Sequence, residues 1–123
     1  MENVIESSTA LLTSLKADYL NLKAAFKAET DIEKMDVLDT QISKMGKDIV
    51  DLESKRMAFE VAAKKTSFNP TRLAPLLAEM NAHREETSRV IQEHTDSVMR
   101  ATYLASRITS GTKLIGSLLA KIV

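Results

Sequence analysis

The stretch that decides the fold is LAEMNAHREETSRVIQEHTDSVMRATYLASRITSGTKLIGSLLAKI, residues Leu77–Ile122. Alternating steps of three and four pick out Leu77, Met80, Ile91, Val98, Ala101, Ala105, Ile108, Ile115, Leu119 and Ile122, with Arg84, Thr87, His94 and Thr112 in the gaps. A 3.5-residue repeat held over that length predicts one long helix. At a rise of about 1.5 Å per residue it would run to roughly 70 Å. A helix that long does not bury its seam alone. The rest of the chain must cover it, and any part left bare is open to a partner.

Upstream of this stretch, Thr66-Ser67-Phe68-Asn69-Pro70 is the firm break. Asn69 has the chemistry of an N-cap and Pro70 suits a first helical turn. Pro75 lacks an N–H, so the main helix is expected to begin there after one preliminary turn. Further back, Met35, Leu38, Ile42, Met45, Ile49, Leu52, Arg56 and Phe59 form a second heptad seam. A third set, Leu12, Leu15, Tyr19, Leu22 and Phe26, is offset from it. Thr30-Asp31-Ile32-Glu33 between them has capping-box spacing. No Gly or Pro forces a turn there, so a continuous, locally distorted arm is the first expectation and a break near residue 30 the second.

The predicted class is therefore all-α: an elongated antiparallel helical hairpin or a three-helix bundle with coiled-coil packing. Residues 1–65 form an N-terminal heptad arm, 66–75 the turn, and 76–123 a long C-terminal helix with a partner-binding end. Composition agrees. Aromatic residues are 4%, Trp is absent, and Gly and Pro number three and two, which is the make-up of a helix bundle.

Charge narrows the function classes. Seventeen basic and seventeen acidic residues cancel, so the basic surplus of a nucleic-acid binder is missing. No long apolar run reads as a membrane span. The start, Met-Glu-Asn-Val-Ile-Glu, lacks the basic and apolar regions of a signal peptide, so a cytoplasmic location is expected. Catalytic machinery is not evident either. There is no Cys, no Gly-rich phosphate loop, and no Glu three residues before His83 or His94. The pattern predicts no enzyme, no cofactor and no metal.

The C-terminal quarter is different. After Asp96 there is no acid, while Arg100, Arg107, Lys113 and Lys121 remain. Gly111 and Gly116 weaken the helix by about 1 kcal/mol each relative to Ala. Small residues from Ala101 to Gly111 permit close approach by another helix. This end is expected to be poorly covered, to gain order on binding, and to hold a partner through Val98, Ala101, Tyr103, Ala105, Ile108, Leu114, Ile115, Leu118, Leu119 and Ile122. Tyr103 is expected to point away from the seam as an exposed second docking point.

With the residues set out this way, the chain resembles the FlgN-type flagellar export chaperones, especially shorter alphaproteobacterial members. The likeness rests on the Leu-rich opening arm (Leu11 to Phe26) interrupted by Ala28-Glu29-Thr30-Asp31. It continues through the heptad ending in Leu52-Glu53-Ser54-Lys55-Arg56 to a final helix with Met99-Arg100-Ala101-Thr102-Tyr103 and a Gly-containing apolar tail. The resemblance implies a cytosolic chaperone, monomer or weak dimer. It would hold the amphipathic C-terminal helix of hook-associated (hook–filament junction) proteins, prevent premature assembly and deliver them to the export gate. Asn69-Pro70-Thr71-Arg72-Leu73-Ala74 followed by a helix ending in Lys121-Ile122-Val123 is also similar to type III secretion needle or inner-rod subunits. That implies self-assembly instead. A generic coiled-coil oligomer is the third reading.

Overall fold

A computed structural model describes residues 2–122, so Met1 and Val123 at the two ends of the predicted arms lie outside the described residues. Four α-helices follow in order: α1 (Glu2–Ala28), α2 (Ile32–Lys65), α3 (Ala74–Glu93) and α4 (Ser97–Ile122), with a 3-10 turn at Pro70–Leu73 before α3. The all-α bundle is as expected. Each predicted arm, however, is broken once more than its first reading allowed.

The break after α1 is made by side chains. The Glu29 carboxylate accepts from the N–H groups of Thr30 and Asp31 at 3.1 and 3.0 Å. Asp31 Oδ1 then accepts from the N–H groups of Glu33 and Lys34 at 3.0 and 3.4 Å, capping α2. Helix N-termini leave N–H groups without intrahelical partners, and this acidic run supplies acceptors for them. The cap is Asp31, one residue later than the Thr30–Glu33 box suggested.

The single long helix over Leu77–Ile122 is not formed. It stops at Glu93 and restarts at Ser97. Asp96 Oδ1 accepts from Val98 N–H at 2.9 Å, and the Asp96 carbonyl accepts from Arg100 N–H at 2.9 Å. The Arg100 guanidinium donates to the His94 carbonyl, closing the end of α3. Three of the seam positions between Met80 and Val98 are Arg84, Thr87 and His94. A straight rod would gain little by burying them, whereas folding back lays the apolar part of each half against the rest.

Pairings across the helices fix the topology. Lys16–Glu53 (3.2 Å) and the Arg56–Thr9 hydrogen bond (3.1 Å) make α1 and α2 antiparallel. Ser7 bonds Asn81 at 3.1 Å, placing α3 beside α1, and Ser14 shares a cleft with Ser88, so the two run parallel. Gln41 bonds Thr102 at 3.1 Å while Asp51 and Thr112 share a cleft, so α2 and α4 also run parallel. The hairpin reading expected these two arms to be antiparallel. α3 is instead the return strand of the path, and the three-residue link at 94–96 reverses the chain again.

α4 touches each of the other three helices, α2 most extensively. Its buried face is accordingly wider than one heptad stripe: Ala101, Ile108, Ile115 and Ile122 form one row, Leu104, Gly111 and Leu118 a second. The α2 seam is buried as predicted at Leu38, Ile42, Met45, Ile49, Leu52 and Phe59. α1 contributes Val4, Leu11, Leu15 and Leu22. α3 contributes only Leu76 and Met80 as buried apolar side chains, beside the buried polar residues His83 and Thr87.

Candidate functional site

The face of α4 turned toward α3 carries the densest polar chemistry next to apolar surface. Between the two helices lies a cleft of about 380 Å³, walled by Glu79, Ala82, His83 and Glu86 from α3 and by Arg107, Ser110, Lys113, Leu114 and Ser117 from α4. His83 is buried and its Nε2 lies 3.0 Å from the Arg107 carbonyl and 2.9 Å from Ser110 Oγ. A carbonyl only accepts, so Nε2 carries the proton and donates. Nδ1 is then a bare acceptor, and it is buried with no partner.

Arg107 is tied almost wholly to α3. Its Nε donates to Thr87 Oγ1 at 2.8 Å, a guanidinium nitrogen donates to the His83 carbonyl at 3.2 Å, and the Glu86 carboxylate is 3.8 Å away. The Thr87 hydroxyl in turn donates to the His83 carbonyl at 2.7 Å. Burial, with the neighbouring Arg107 charge second, holds the His83 imidazole below the ordinary histidine range. The hydrogen bond to the Arg107 carbonyl and the Glu86 carboxylate oppose this without prevailing.

The residues expected to bind a partner are brought together, but inside the bundle. Ala101, Ile108, Ile115 and Leu118 are fully buried and Ile122 nearly so; Val98, Ala105 and Leu114 pack at the edge of the core, and Leu119 is half-buried. The expectation of a poorly covered arm end is corrected: α1, α2 and α3 surround α4, so its apolar rows are core. Tyr103 is not an outward docking point either. Its ring packs 5.6 Å from that of His94, with the Arg107 guanidinium 5.7 Å from its centre, at the junction of α3 and α4.

Gly111 and Gly116 lie within an unbroken helix and differ from each other. A Cβ on Gly111 would sit 3.0 Å from Leu15 Cδ1, so this glycine lets α1 approach α4 closely, whereas His83 Cε1 at 3.7 Å would be in ordinary contact. At Gly116 nothing lies within 4 Å. Gly116→Ala is therefore expected to stabilise the fold by up to about 1 kcal/mol, and Gly111→Ala to forfeit that gain against Leu15. Thermal melts of the two single variants check the order; equal gains would mean that the Gly111 approach is not close.

Apart from Met99 on α4, the large exposed apolar side chains among the described residues lie on other parts of the chain. Val50, Met57 and Val61 make a stripe on α2, opposite its buried seam, with exposures of 62, 54 and 44%. Their steps of seven and four were legible in the sequence, but the stronger seam on the other face masked them. On α1, Ile5, Thr9, Ala10, Thr13, Ser14 and Ala17 border a shallow, mostly apolar depression.

Among the described residues no group of three or more His, Asp or Glu is disposed to hold a metal ion, and no helix is long and apolar enough to cross a membrane. What the α3–α4 network can do chemically is hold a helix by donating hydrogen bonds to it. No protein-family model, no curated protein and no solved structure matches this chain.

Proposed function

We propose that the chain is a non-catalytic, cytoplasmic chaperone that holds an amphipathic helix of a client protein against α4, in the manner of the FlgN-type flagellar export chaperones it resembles. The observation that carries the reading is how α3 is held. α3, which lines the Arg107–Ser110–Leu114 side of α4, buries two large apolar side chains, Leu76 and Met80, where α2 buries six. Polar contacts through His83 and Thr87 complete its hold. Turns at 66–73 and 94–96 bound it on both sides. Full burial of a Leu- or Met-sized side chain is worth roughly 1.5–3 kcal/mol, so these two, with Leu77 and Ile91 packed at the core edge, hold α3 less firmly than six hold α2. The face beneath α3 is therefore the one from which cover is most easily removed while α1, α2 and α4 stay packed.

The test is titration calorimetry with synthetic C-terminal helices of hook-associated proteins. Saturable one-to-one binding is expected, weakened at least about tenfold by Leu114→Asp, a loss of about 1.4 kcal/mol. Absence of heat with every such peptide overturns the reading. A second reading, self-assembly as a rod-like or coiled-coil subunit, is favoured by the exposed Val50–Met57–Val61 stripe. Light scattering separates the two: mass that grows with concentration supports self-assembly, and a constant monomer or weak dimer supports the chaperone.

A further inference from the structure

We propose that α3 is a built-in stand-in for the client helix, so that its own side-chain pattern specifies what the client must carry. This deepens the chaperone reading and rests on it. α3 lies in the groove formed by α1 and α4, parallel to the first and antiparallel to the second. Four of its positions make the buried contacts: Leu76, Met80, His83 and Thr87. They fall at i, i+4, i+7 and i+11, one stripe of a helix.

Each position meets a different demand from the floor of the groove. Leu76 and Met80 are buried apolar side chains. The His83 ring packs beside Gly111 and donates to the Arg107 carbonyl, so the third position calls for a side-chain hydrogen-bond donor. At the fourth position Arg107 requires an oxygen. Its side chain is only 19% exposed, and the hydrogen bonds its guanidinium makes go to α3. With α3 lifted away water solvates this half-buried cation, but a helix that covers it again without an acceptor leaves it desolvated and unpaired, which is strongly unfavourable. A client that displaces α3 must therefore supply a hydroxyl or carboxylate there.

Direction follows as well. Arg107 engages the later half of α3 and Gly111 lies under the middle, so the apolar pair must enter at the client helix's N-terminal side. The client is thus an amphipathic helix with two large apolar residues four apart, a side-chain hydrogen-bond donor three further on, and a Ser, Thr, Asp or Glu four beyond that. It runs parallel to α1.

The experiment uses the full chain and fluorescently labelled peptides of residues 74–93. In the intact chain α3 is tethered at an effective concentration in the millimolar range, so the peptide should compete poorly. A Leu76→Asp/Met80→Asp chain, its helix content verified by circular dichroism, is expected to bind the peptide at least about tenfold more tightly than the intact chain. A peptide with Thr87→Val should lose most of that binding, and the reversed-sequence peptide should show none. Failure of the folded double variant to bind, or equal binding of forward and reversed peptides, overturns the proposal. Should the double variant unfold, hydrogen exchange on the intact chain decides. Exchange of α3 amides ahead of those of α1, α2 and α4 supports the stand-in, and exchange of all four helices as one unit overturns it. If the α3 peptide binds and hook-associated helices do not, the slot stands and the client class is wrong. If only the latter bind, clients dock elsewhere.

Discussion

Ile115→Ala is expected to lower the stability of the folded chain by about 2–5 kcal/mol, a fall of roughly 8–20 °C in melting temperature for a domain of this size. Ile115 is fully buried in the row that also holds Ala101, Ile108 and Ile122. The lost side chain leaves a cavity, and the cavity cannot close easily because α4 is braced by helices on three sides. Leu119, one turn further on, is half-buried, and its truncation should cost less. Urea unfolding of both single variants gives the comparison. A loss at Ile115 within about 0.5 kcal/mol of zero, the range of ordinary surface changes, would mean that the end of α4 is uncovered in solution. The sequence-based expectation of an arm that gains order on binding would then be restored.

The letters of α4 suggest a poorly covered arm end, and the burial of its apolar rows departs from that for a physical reason. An apolar helix with two glycines and no acids reads as bare when the chain before it is thought to form one antiparallel arm. Once the chain reverses at 29–31 and 94–96, three helices are available to cover α4 and its two apolar rows become interior. The signals for both reversals were present. Asp31 and Asp96 are good caps, but a cap is worth about 1 kcal/mol, and an unbroken heptad outweighs it on paper. What tips the balance is the burial gained on folding back, which depends on contacts far apart in sequence.

Legibility was highest where a helix has one buried side. The α2 seam from Leu38 to Phe59 is readable from the letters because the opposite face, with Val50, Met57 and Val61, is exposed. On α4 the heptad seam gives one of the two rows, and of the second the letters pick out Gly111 and Leu118 but not Leu104. Leu104, Gly111 and Leu118 fall outside a strict heptad seam and are buried because several neighbours surround the helix. Helix direction was not legible at all. A heptad pattern reads alike for parallel and antiparallel partners, and the parallel pairing of α2 with α4 follows from the number of reversals between them. The polar site was hidden for a related reason. His83 and Arg107 are twenty-four residues apart, and only the reversal at 94–96 brings the ring to the Arg107 carbonyl.

Acid is expected to loosen α3 before the rest of the bundle. A histidine whose folded-state pKa lies below its unfolded value stabilises the fold in its neutral form. That contribution is intact above the ordinary histidine pKa of about 6.5 and is lost as the pH falls through the lowered value. The geometry says where the loss is felt. Protonation turns the unpartnered Nδ1 into a buried donor with no acceptor and sets a second positive charge beside Arg107. Of the other charged groups lining the cleft, Glu79 and Glu86 on α3 would soften this and Lys113 on α4 would add to it. Asp18 works in the opposite sense. Desolvation raises its pKa despite the nearby Arg100, so its protonation at lower pH favours the folded state. His83→Gln keeps a side-chain N–H donor for the Arg107 carbonyl and removes the titration. Melting curves and α3 hydrogen exchange for the two chains, taken from pH about 7.5 to about 5, isolate the histidine because Asp18 is common to both. The wild type should lose stability over this window, with α3 amides exchanging first, and the variant should be markedly flatter. If the two profiles run parallel, His83 carries no pH-dependent share of the hold on α3, and its unpartnered nitrogen finds an acceptor when protonated.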